Sequence, residues 1–109
     1  MKQSTSISLT DIMFNDVEKV VPKVDFSELE GKSIIITGAS GLLGLHFLAC
    51  IKKMNKLFNR PIIAYAIVQS EPEEFFIEEF VDKNIRLIRG DLTQIDFFQH
   101  LPQVDYIIH

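Results

Sequence analysis

Hydrophobic positions along this chain change period several times. Ser33-Ile34-Ile35-Ile36-Thr37 is a short, continuous β-branched run, the pattern of a strand buried on both faces of a parallel sheet. From Leu42 to Phe58 the apolar residues recur at helical spacing, with Leu43, Phe47, Leu48, Ile51, Met54 and Leu57 predicted to pack on that sheet. Asn59-Arg60-Pro61 stops the helix, and Ile62 to Val68 is a second strand. Ser70 is placed to cap a helix with Pro72 near its start and Glu73 and Glu74 in its first turn. Its apolar face would use Phe75, Phe76, Phe80 and Val81. Ile85-Arg86-Leu87-Ile88 makes a third strand that ends at Gly90-Asp91. Thr93 can cap a short helix through His100, Pro102 punctuates it, and Val104 to Ile108 is a fourth strand. This β-α-β-α-β-α-β order predicts a right-handed parallel α/β sheet.

Upstream, residues 1–9 carry no such pattern. Thr10 is a candidate N-cap for a helix over about 11–21, ended by Pro22. Ile12, Val17, Val20 and Val21 share a face, so this helix is expected to dock on something. The chain therefore divides into an extension over 1–30 with one helix and an α/β region over 31–109. The sequence stops inside the fourth strand, and an N-terminal piece of a longer protein is the expectation. Such a piece would show marginal stability, with an edge of the fourth strand open to aggregation.

Composition narrows the functional classes. Of 109 residues, 47% are hydrophobic and 24% charged, as in an ordinary globular protein. The net charge of -4 argues against a nucleic-acid partner. Lys52, Lys53 and Lys56 cluster at a spacing that suits the wet face of one helix. Cys50 is the one cysteine, so no disulfide framework exists and a reducing, cytoplasmic setting is expected. No run approaches the ~20 apolar residues needed to span a bilayer, and no membrane partner is expected. With three scattered histidines and one cysteine, no metal site is expected.

The informative segment is Thr37-Gly38-Ala39-Ser40-Gly41-Leu42-Leu43-Gly44, whose glycines follow a strand and open a helix. Gly38 would permit the tight turn, Gly41 would let the backbone approach a pyrophosphate, and Gly44 would let the helix pack tightly against the sheet. The helix start offers unpaired N–H groups and a positive dipole end to an anion, with the amides near Leu42 and Leu43 as donors. A P-loop is excluded, because no Gly-Lys-Ser/Thr follows the turn.

Thr-Gly-x-x-Gly-x-x-Gly resembles the fingerprint of the extended short-chain dehydrogenase/reductases, the nucleotide-sugar epimerase and dehydratase group. Gly90-Asp91-Leu92 resembles that family's Gly-Asp-Leu/Val, and Asp105-Tyr106-Ile107-Ile108-His109 its fourth strand. Val24 to Lys32 resembles the lead-in of polysaccharide-cluster members more loosely. The resemblance covers about residues 31–109. It implies a Rossmann-type sheet with helices on both faces, about four strands of it present, and a dinucleotide held by Gly38, Ser40, Gly41, Leu42, Leu43, Gly44, Gln69, Asp91 and Leu92. Asp91 would contact the adenine amino group, the alternative being that it simply caps the turn before the Thr93 helix. His46 and His109 are read as structural residues.

Cofactor choice stays open. The end of the second strand reads Ile67-Val68-Gln69-Ser70-Glu71, with no aspartate in the usual place and no arginine for a 2′-phosphate. Gln69, Ser70 and Glu71 are candidates for the ribose, and NAD is favoured over NADP only because no positive charge marks the site. The family's catalytic Tyr-x-x-x-Lys is missing: Tyr65 is followed at the fourth position by Gln69, and Tyr106 falls at the chain's end. The resemblance thus implies the cofactor-binding part of an NAD(P)-dependent epimerase, dehydratase or decarboxylase, inactive by itself, whose parent would take a nucleotide-sugar substrate. The alternatives are a non-catalytic dinucleotide-binding module or vestigial remnant, and an interaction domain that binds no nucleotide. A homodimer is kept open as the assembly.

Overall fold

A computed structural model describes residues 9–21 and 25–108, with the side chains of 9–13 and 20 left aside. The predicted Thr10 cap, the Ile12 and Val20 contacts, Pro22, Val24 and His109 lie outside the described residues or side chains. The elements are α1 (Leu9–Val20), β1 (Ser33–Thr37), α2 (Leu42–Leu57), β2 (Ile63–Val68), α3 (Glu74–Phe80), β3 (Ile85–Arg89), α4 (Ile95–Gln99) and β4 (Tyr106–Ile108). All pairings are parallel and the sheet order is β3-β2-β1-β4. This is the Rossmann-like α/β arrangement that the alternating pattern predicts.

The two sheet faces are unequal. Ile34, Ile36, Ala64, Ala66, Val68 and Ile85 point to one face and form a single core with α1, α2 and α3. Ala64 and Ala66 face that core from the middle strand, where a small side chain lets the helices approach closely. The opposite face carries Ile35, Thr37 and Ile107, beside a cavity of about 610 Å³ bounded by α4's Phe98 and the loop through Val104. Helices therefore lie on both faces, but the second is covered thinly.

α1 belongs to the main core. Val17 and Val21 are buried, Phe14 stacks on Phe80 with ring centroids 5.7 Å apart, and Lys53 Nζ reaches Glu18 at 3.1 Å. Lys52 likewise pairs with Asp82 at 3.0 Å, so two of the three clustered lysines tie α2 to its neighbours.

Several expectations need correction. The buried stripe of α2 is Gly44, Leu45, Leu48, Ala49, Ile51 and Met54, whereas Leu43 is 70% exposed and Leu57 59% exposed. Leu43 and Phe47, one turn apart, flank an open cleft instead of the core. Ser70 caps nothing: α3 starts at Glu74 with Glu73 as its N-cap residue, in extended conformation and without a side-chain cap. Pro72 disfavours helical geometry at Glu71, so the chain stays extended past it. Phe76 and Phe80, at i and i+4, bury fully, while Phe75 sits 100° around the helix and is 40% exposed. Thr93 does not cap α4 either; Gln94 holds that position, and Thr93 is turned to Asp91. β4 begins at Tyr106 rather than Val104, because Asp105 turns its carboxylate back onto Ser33.

Two local devices fix the strand entries. Asp105 N–H donates to Ser33 O at 3.0 Å, and Ser33 N–H donates back to Asp105 Oδ2 at 2.9 Å. On the other side, Asn55 Nδ2 donates to Ile62 O at 3.0 Å and its Oδ1 accepts Ile62 N–H at 2.8 Å. Ile62 therefore has both backbone groups satisfied just before β2 begins, which is why that strand opens one residue later than the apolar run.

Phe80→Ala is expected to cost about 3–5 kcal/mol, enough to abolish cooperative urea unfolding in a small domain, while Phe75→Ala stays within about 1 kcal/mol. Equal losses would contradict the assigned helix face. Acid sensitivity follows from four carboxylates held below their ordinary value of 3.8. The Ser27 N–H does this for Asp25, Thr93 for Asp91 and the Ser33 N–H for Asp105. Partial burial opposes the shift at Asp82, but its bond to Lys52 and those to the Ile85 and Asn84 N–H groups outweigh it. Depressed carboxylates stabilise the fold fully above about pH 4, and that contribution is lost as pH falls through their folded values. Urea midpoints should accordingly fall between pH 5 and pH 3 and stay flat from pH 5 to 7 as far as these groups are concerned.

Candidate functional site

The turn between β1 and α2 is built from backbone. Gly38 has φ of +60°, the left-handed region that costs other residues about 1–2 kcal/mol, and an added Cβ there would meet nothing within 4 Å. Conformation, not crowding, selects glycine at this position. At Gly44 the reverse holds: a Cβ would lie 2.6 Å from Gly38 O and 2.8 Å from Ala39 Cα, both backbone atoms. The first turn of α2 therefore rests directly on the turn that precedes it, more than on the sheet as the pattern alone suggested. Ala39 N–H donates to Ile67 O at 3.2 Å and Gly41 N–H to Gly38 O at 3.0 Å, which anchors the loop to β2 and closes it on itself.

Gly41 is the N-cap residue of α2 and is extended, with no side-chain cap. The first helical bond runs from Leu45 N–H to Gly41 O at 2.9 Å, so the N–H groups of Leu42, Leu43 and Gly44 precede the helical ladder. No acidic side chain stands in this first turn to neutralise the dipole. A cleft of about 240 Å³ opens here, lined by Gly38, Gly41, Leu42, Leu43 and Gly44 with Phe47, Ile36, Thr37 and Ile108. Ser40 is exposed in the turn but does not line the cleft. His46 Nδ1 donates to Leu42 O at 2.9 Å, a bond within the helix.

At the next two strands the carboxyl ends converge. Gly90 N–H donates to Val68 O at 2.9 Å, and Val68 and Arg89 are register partners. Thr93 holds the Asp91 carboxylate low through its hydroxyl (2.7 Å) and its N–H (2.9 Å), both on Oδ1, and the Gln69 side chain beside it lowers it further. One oxygen of Asp91 thus serves its own turn, as the capping alternative anticipated, although the residue served is Thr93 and not the helix. Leu92 departs from the group and lines the large cavity on the opposite sheet face. A Cβ at Gly90 would overlap the ring of Phe97, a half-buried side chain that would have to turn away.

Sequence reasoning missed Arg89. Its Nη1 donates to Glu71 Oε2 at 2.8 Å, placing a guanidinium at the end of β2, where no arginine was expected. The signal lay in the parallel register, which sets the residue before Gly90 against Val68, and not in the residues following β2. Cys50 is half-buried against the core, and burial pushes its thiol pKa up, as for a packing residue.

Gly44→Ala should displace the backbone of residues 38–39 and lower stability by about 1–3 kcal/mol, the range for overpacking a closed contact. Gly38→Ala should cost about 1–2 kcal/mol through strain alone, and Gly38→Asn less, since asparagine tolerates positive φ. Chemical denaturation of the three variants checks the order.

No helix among the described residues is long and apolar enough to cross a membrane. Compared with known proteins, the chain matches no family model, no curated protein and no solved structure, so fold and site geometry alone bear on function.

Proposed function

We propose that this chain is the dinucleotide-binding part of an NAD(P)-dependent enzyme of the extended short-chain dehydrogenase/reductase kind, whose parent modifies a nucleotide-bound sugar. The observation that carries this reading is the glycine turn itself. It combines a left-handed Gly38, a Gly44 with no room for a Cβ, and an uncapped helix start at the carboxyl end of a central parallel strand. A cleft outside the strand ends, beside a helix N-terminus, suits a pyrophosphate. The N–H groups of Leu42, Leu43 and Gly44 would receive it, with Gly38 and Gly41 keeping side chains out of the way. Gln69 and Asp91 stand farther along the same sheet edge, towards the adenosine half.

Bound dinucleotide would supply a hydride acceptor for a sugar hydroxyl. The chain's own part is to bind and orient, since the Tyr-x-x-x-Lys pair of the resembling family is absent from its 109 residues. The end of β2, which lacks the usual selectivity aspartate, favours a second reading, a dinucleotide-binding module without turnover; sugar turnover by any longer form would sink it. The lone cysteine supports a cytoplasmic setting, and a homodimer is the assembly to look for.

The test is thermal and chemical unfolding of the chain with NAD or NADP present. At a hundredfold excess over Kd, ligand should add ~2.7 kcal/mol. Gly44→Ala should retain the fold but lose most of this protection. Absence of protection by either dinucleotide would reject the reading in favour of an interaction domain.

A further inference from the structure

We draw no further inference here: the strongest candidate, the apolar cavity of about 610 Å³ between β1, α4 and β4 with the exposed Phe98 and Ile107 on its wall, is an unpartnered face, and nothing in the structure shows what covers it.

Discussion

The contact between the first turn of α2 and the backbone of Gly38 and Ala39 governs the rest of this molecule. It leaves no space for a side chain at Gly44, so the helix begins directly beyond β1 and its unpaired amides stay together at the end of that strand. The same contact fixes the rotation of α2. Gly44 and Leu45 turn inward, which sends Leu48, Ile51 and Met54 into the core and leaves Leu43 and Phe47 beside the cleft. A backbone contact of this kind has no hydrophobic driving force of its own. It is maintained by the core below it, where Ala64 and Ala66 let helices settle close to the sheet.

Elements were legible where period and punctuation agreed. Ile34 to Ile36 are buried on both sides, and such a run has no alternation to mistake; Gly38 and Gly44 were assigned by steric demands that a sequence pattern can express. Helix starts were less legible. Ser70 and Thr93 have capping chemistry, yet each has a stronger local competitor: Pro72 keeps the chain extended, and Asp91 takes both the N–H and the hydroxyl of Thr93. Arg89 was illegible for another reason. Its partner Glu71 is 18 residues away, and only the strand register brings them together. The glycine turn can be read locally, whereas the Glu71–Arg89 pairing depends on two strands at once.

The sheet's faces differ in how they are supported. One is sealed by three helices and the Phe14–Phe80 and Phe76–Phe80 ring contacts. On the other, Ile107 and Phe98 remain open to solvent around a wide cavity, and Arg86 lies over the Tyr65 ring at 5.9 Å. Local opening is therefore expected to concentrate around α4 and β4, where buried contacts are few, while β1 and β2 hold.

Asn55 has a consequence of its own. By meeting both backbone groups of Ile62 from seven residues upstream, its amide imitates a neighbouring strand and acts as a ruler between the end of α2 and the start of β2. The span it measures cannot lengthen without detaching the amide, which would leave two polar backbone groups unmatched beneath the helix. Variation in chain length should thus be tolerated almost anywhere on this surface sooner than between Asn55 and Ile62.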